Sequence, residues 1–247
     1  MQVKGILALV VATAAVASCY QLPEFIKPCK RNDNECLKKT LQSVIPKLGK
    51  GYRPFGLLPL DPMRVEELVV DYKMDDVEGK MAVRNADTYG LAGIRIQDVR
   101  SFANATDFYM EVDVKFPEIF IEGAYKANGQ VVVFPIRGNG VFNISMSDVA
   151  ATWKLTGHVE DRDGEAYLRL DHFTMRPEVG DMKVYASDLF TGSPELNEAA
   201  LRFANQFWPL VYGVLLPYVE GGWDRVMTGV ANKVFQSVPY SALFPQE

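Results

Sequence analysis

Histidines, cysteines and Asn-X-Ser/Thr triplets are the residues of this chain through which chemistry would most readily pass, and each type is scarce. The two histidines, His158 and His172, stand apart from any His-Glu-x-x-His pattern. No Gly-x-Ser-x-Gly elbow, P-loop or dinucleotide fingerprint occurs. Gly138-Asn139-Gly140 lacks a third glycine and leads into apolar alternation, so it reads as a turn. His172 falls on the apolar parity of its segment, which predicts a buried, hydrogen-bonded structural histidine. Asp61 and Asp171 read as a turn residue and a strand-surface residue, not as an acid/base pair. No catalytic residue, metal or cofactor is expected. Cys29 and Cys36 are spaced for a small ring and lack the further Cys or His ligands of a zinc site, so a disulfide is expected. Asn104-Ala-Thr and Asn143-Ile-Ser are glycosylation sequons, with Asn143 on the polar parity of its strand.

The compartment follows from the first residues. Lys4, the apolar run Ile6 to Val16 and the small residues Ala15, Ala17, Ser18 and Cys19 have the form of a secretory signal peptide over residues 1–19. Cleavage fits after Ala17 or after Cys19. The second is preferred because it leaves the two remaining cysteines free to pair. The rest, 20–247, shows no linker or low-complexity break and reads as one domain. Loss of Lys4 takes the net charge from −5 to about −6. An acidic, exported chain argues against nucleic acid and anionic membranes as partners.

The elements are legible from periodicity. Asp33 or Asn34 caps a helix with Leu37, Leu41, Val44, Ile45 and Leu48 on one face. It ends at Pro46 and the Gly49–Gly51 run, before an apolar Pro/Gly loop whose Phe55, Leu57, Leu58 and Leu60 should tuck inward. From Met63 to Phe190 the period becomes two, clearest where Phe108, Met110, Val112, Val114 and Phe116 alternate with Tyr109, Glu111, Asp113 and Lys115. Asn128-Gly129 and Asp163-Gly164 predict tight hairpins and an antiparallel sheet. The parity slips after Met146 and after Leu170, which predicts bulges and a bent sheet.

Residues Pro194 to Glu220 predict a helix, capped by Ser193, that is amphipathic at first and wholly uncharged from Phe207 to Val219. At about 13 residues, broken by Pro209 and Pro217, that uncharged stretch is shorter than the roughly 20 needed to span a bilayer. It must therefore be covered by protein. Gly221-Gly222 should interrupt the helix, with helical spacing resuming at Trp223 and ending at Pro239. The apolar tail at Leu243 and Phe244 should dock.

In order and spacing, several pieces together resemble the takeout and juvenile-hormone-binding protein family of insects. They are Cys29-x6-Cys36, the Gly51…Gly56…Asp61-Pro62 loop and Pro135-Ile-Arg-Gly-Asn-Gly140 ahead of a sequon-bearing strand. At the end come the aromatic helix, Asn232-Lys-Val-Phe235, Pro239 and Leu243-Phe244. Tyr52 and Arg53 depart from the apolar pairs that relatives often carry there. The resemblance implies an α+β fold, a long C-terminal helix wrapped by a highly curved antiparallel β-sheet, elongated and with an internal apolar tunnel. It also implies a monomeric, secreted carrier of a terpenoid or fatty-acid-like ligand, juvenile hormone included. Strand parity and helix spacing nominate Phe108, Met110, Val112, Val114, Phe203, Phe207, Trp208, Tyr212 and Leu215 as lining. The competing expectation is a secreted protein-interaction module with a solid interior and an exposed apolar patch around Tyr52 to Leu58, acting on an unidentified receptor.

Overall fold

The computed structural model describes residues 22–245 apart from 75–76 and 132–133; the expected leader and Cys19 lie outside the described residues. Seven strands form one antiparallel sheet: β1 (Met63–Met74), β2 (Val77–Tyr89), β3 (Arg95–Ala103), β4 (Asp107–Val131), β5 (Phe134–Arg162), β6 (Glu165–Met175) and β7 (Asp181–Ala186). The path runs β1-β2-β4-β5-β6, with β3 on β4 and β7 on β5. Among the described residues four α-helices accompany it: α1 (Asn34–Val44), α2 (Pro194–Gln206), α3 (Trp208–Phe235) and the short α4 (Tyr240–Leu243).

Strands β4 and β5 are long enough to change neighbours half-way. The first half of β4 pairs with β3 up to Lys115, and the second half pairs with β2 from Phe120 onward. On β5, Phe142–Ser147 pair with β7 and Trp153–Arg162 with β6. The changeover lies at Pro117, which has no N–H for the ladder, and Asp148, whose φ is +50°. Ser147 still faces Glu118 and Val149 still faces Phe116 without a register shift. The first parity slip is thus made by a left-handed residue, and the expected inserted-residue bulge is corrected on that point. The second slip is a bulge. Thr156 faces His172 while Gly157 faces Leu170, leaving Asp171 unpaired.

That bulge corrects the expectation for His172. Skipping Asp171 puts Leu170 and Phe173 in the core and turns His172 outward, with its side chain 64% exposed. Two turn expectations are also corrected. Asp163-Gly164 is a turn with φ of +56° and +85°. Asn128-Gly129, however, lies within β4, and Gly138–Gly140 lies within β5 opposite Ala127–Tyr125. Those glycines serve close approach: a Cβ on Gly129 would meet the Glu78 carbonyl oxygen and the Tyr72 hydroxyl, each at 2.5 Å.

The helix expectation shifts in the same way. The break falls at Phe207 (φ −115°, ψ 32°), because Pro209 has no N–H to bond the Asn205 carbonyl and sits instead in the first turn of α3. The Gly221-Gly222 pair does not interrupt α3; Gly222 is buried against the Leu68 side chain of β1.

Amide side chains fasten the helices to strand backbones. Asn232 accepts from Leu170 N–H (2.8 Å) and donates to its carbonyl (2.9 Å). Asn205 does the same at Val184 of β7. Gln42 of α1 bridges Ile96 N–H and the Ile94 carbonyl beside β3. Each amide substitutes for an absent neighbouring strand, satisfying groups that burial would otherwise leave unpaired. Since α3 holds β6 by Asn232 and meets β1 by Gly222 and Tyr218, it spans the opening between the two end strands of a curled sheet.

The core is thick at one end only. Its main cluster joins β3–β6 to α1, the second half of α3 and the tail, with Leu168, Leu170, Val112 and Val114 nearly inaccessible. Phe55 and Leu57 of the Pro/Gly loop are buried in an adjoining cluster with Val238, whereas Leu58 is exposed. At the α2 end only a small cluster around Tyr125, Ala127 and Ala186 forms. There the uncharged stretch is not fully covered, and Leu210 is 63% exposed.

Candidate ligand-binding site

Inside the thick end lies an apolar cavity of about 220 Å³. Its floor is sheet: Met110 and Val112 of β4, Trp153 and Leu155 of β5, Phe173 of β6. These side chains share a face because the strand period is two and the Asp171 bulge restores Phe173 to the inner side. Helix α1 supplies Leu37, Leu41 and Val44 at helical spacing, and α3 supplies Met227, Val230, Ala231 and Val234. Phe235, Leu243 and Phe244 add to the wall, as do Leu57 and Leu60 of the Pro/Gly loop and Lys27.

The position of α1 is set by a few bonds. Asp33 caps it by accepting from Cys36 N–H at 3.0 Å, and Asn34 accepts from Ser101 N–H on β3. The Cys29–Cys36 disulfide is formed, with Cα atoms 5.7 Å apart, and ties the preceding segment to the first turn of α1. The tail is fixed by Cys29 N–H donating to the Leu243 carbonyl and Tyr240 Oη donating to the Asn104 carbonyl. Asp61 accepts from Gly90 and Ala92 N–H, fastening the loop that carries Leu57 and Leu60.

Both histidines and their carboxylate partners lie elsewhere. His158 Nδ1 is 3.1 Å from Asp171, and both are exposed. His172 Nδ1 is 2.8 Å from Asp224 Oδ2 on α3, while Asp224 Oδ1 accepts from Phe173 N–H and Thr228. The bond to Asp224, then its charge, raises the pKa of His172. Burial pushes the Asp224 carboxyl up, but donors from His172, Phe173 and Thr228 outweigh it and leave the carboxyl below its ordinary range. Among the described residues no group of three or more His, Cys, Asp or Glu side chains is placed to hold a metal ion.

The residues nominated from sequence divide three ways. Met110 and Val112 line the cavity. Phe108 is buried behind it, its ring 6.1 Å from Phe235 and 6.0 Å from Phe244. Val114, Trp208 and Tyr212 line a separate, open and partly polar cleft beside α3, where Tyr212 donates to the Pro177 carbonyl and burial lifts its phenol to about 12. Phe203, Phe207 and Leu215 lie outside the cavity, 53%, 44% and 42% exposed. The α1 residues and Met227, Val230, Ala231 and Val234 were missed as lining, although their helical apolar spacing was the available signal.

Residues 6–245 match the sequence model of a family described as haemolymph juvenile hormone binding protein (JHBP). The chain belongs to that family. Among JHBP relatives it is 20% identical to the circadian clock-controlled protein daywake of Drosophila melanogaster, over 91% of this chain and 89% of that one. It is 28% identical to a putative beta-carotene-binding protein of Schistocerca gregaria, over 85% and 82%. In structure it is similar to takeout 1 of Epiphyas postvittana, with a TM-score of 0.69 at 22% identity, covering 90% of this chain and all of the other. That likeness shows the fold, a curled antiparallel sheet with a C-terminal helix in one domain. The family is one of binding proteins, and no described helix is long and apolar enough to cross a membrane.

Proposed function

We propose that the protein is an exported, monomeric carrier that holds one small terpenoid or fatty-acid-like molecule, non-covalently, in the cavity between α1, the sheet and α3. The observation that carries this reading is the cavity itself. At about 220 Å³ it exceeds the ~150 Å³ engineered apolar cavity that stays dry and admits benzene. An apolar void of this size loses dispersion contacts that solid packing would make, which a guest restores. Desolvation supplies the affinity. At ~25 cal/mol per Å², and after an association cost of at least ~4 kcal/mol, about 500 Å² of buried apolar ligand surface gives micromolar binding. The putative beta-carotene-binding relative supports an apolar guest, and the family description supports juvenile hormone among the candidates.

Export removes the leader after Ala17 or Cys19, and glycans at Asn104 and Asn143 belong to the same proposal. Asn104 Nδ2 donates to Asp107 at 3.2 Å, and a glycosylated amide keeps one N–H for that bond. The test is organic extraction of protein purified from an insect host, followed by mass spectrometry, together with displacement of a fluorescent naphthylamine probe. A recovered lipid and saturable displacement are expected; an empty extract with no probe signal overturns the reading. The interaction-module reading draws on a different place from the one expected: Phe207 and Leu210 are exposed where Phe55 and Leu57 are buried. Under it, Phe207→Ser with Leu210→Ser abolishes partner binding and leaves the probe signal intact.

A further inference from the structure

Three aromatic side chains of the described strand residues are largely exposed: Phe102, Tyr109 and Tyr185, at 59%, 38% and 48%. Each stands beside a sequon asparagine. Phe102 precedes Asn104 by two residues at the end of β3, so strand parity sends both outward, about 7 Å apart along the chain. Tyr109 faces Phe102 from β4. Tyr185 of β7 directly faces Asn143 of β5. The outward residue before Phe102 is Arg100, and it meets carboxylates instead, those of Asp98, Glu111 and Asp113.

The hairpin between β3 and β4 holds the Asn104 amide in one orientation. Asn104 Oδ1 accepts from the N–H groups of Thr106 and Asp107, each at 2.7 Å, and from Thr106 Oγ1 at 3.1 Å. Nδ2 gives one proton to Asp107 and keeps the other for substitution. On transfer of an oligosaccharide, an N–C bond forms between Nδ2 and the anomeric carbon of the core N-acetylglucosamine. The bond from that carbon to a polyprenyl diphosphate donor breaks, and the second amide proton leaves. Resting on the reading that Asn104 is glycosylated, we propose that this first sugar lies across the Phe102 ring and stabilises the β3–β4 hairpin. The axial C–H groups of a pyranose are attracted by the negative face of an aromatic ring, and covering the ring takes apolar area out of water. The occupant is the chain's own glycan because the exposed strand aromatics accompany the two sequons. A tethered sugar also meets the ring at a far higher effective concentration than a free partner.

The test uses the full secreted chain carrying Ser145→Ala, which leaves Asn104 as its single sequon. Protein from insect cells is trimmed by an endoglycosidase to one N-acetylglucosamine, and the same chain from a bacterial periplasm supplies the unglycosylated form. Asn104→Gln is avoided because it would also remove the bonds that Oδ1 gives the turn. In urea unfolding the sugar should raise the folding equilibrium constant about fivefold, the scale of one aromatic contact. Phe102→Thr should abolish that gain. Ring-current shifts of the sugar protons should appear in the parent and vanish in Phe102→Thr. No gain from the sugar, or an equal gain in Phe102→Thr with unshifted sugar protons, leaves Phe102 to an outside partner and overturns the stacking while glycosylation stands. Mass spectrometry that finds Asn104 bare in the insect-made chain overturns the glycosylation reading and this inference with it.

Discussion

At the scale of single residues, the bonds that matter most join side chains to backbone. His172 and Asp224 show how the ionisable groups were spent: they tie β6 to α3 at 2.8 Å, outside the cavity. The His172 pKa is raised from its usual 6.5, so its contribution to stability is complete below about that pH and is lost as pH rises through the higher folded value. Asp224 is lowered from 3.8, so its share persists above that value and is lost only as pH falls beneath it. His172→Gln should therefore destabilise most near pH 5 and converge on the wild type well above pH 7, as read by urea unfolding at each pH. A pH-independent difference would show that packing, not the ion pair, is what His172 supplies.

At the scale of elements, the question is how α1 and α3 are held against strands without pairing. Asn232 alone satisfies both backbone groups of Leu170, a residue with almost no solvent contact. Asn232→Ala should cost about 1–3 kcal/mol in urea unfolding, because it leaves a buried N–H and C=O without partners. Asn232→Asp, which cannot donate, should fall between. The disulfide acts on α1 in another way. With the cysteines 7 apart in sequence, the ring is small, and loop closure predicts only about 2–3 kcal/mol from it. Replacing Cys29 and Cys36 together by Ala should lower stability by about that amount and increase amide exchange in α1 before it does so in β4.

At the scale of the molecule, an antiparallel sheet exchanges strand neighbours at Pro117 and Asp148, curls, and leaves an opening that α3 closes by reaching from β6 to β1. Apolar volume concentrates at the α1 end, where helices cover both sides of the void. Ala231→Phe should fill that void from α3 and reduce probe affinity more than tenfold, at a stability cost of about 1–3 kcal/mol for overpacking. Unchanged probe binding in a folded Ala231→Phe variant would place the site elsewhere, with the cleft at Val114, Trp208 and Tyr212 as the alternative.

Alternation in Phe108–Phe116, the Asp33 cap and the heptad-like spacing of α1 are local properties, and each predicted its element because propensity and burial agree over a few residues. The sequence by itself thus determined the strands, the terminal helices, the family and the paired cysteines. It did not determine where the chain turns. Asn128-Gly129 has the composition of a hairpin, yet close approach to Gly79 and Tyr72, residues distant in sequence, keeps it in a strand. Nor did it decide which apolar faces enclose a void: Phe207 and Met110 are equally apolar, and only the distribution of α1, α3 and the tail exposes one and buries the other. Burial belongs to the assembled surfaces, and it is settled only once every neighbour is in place.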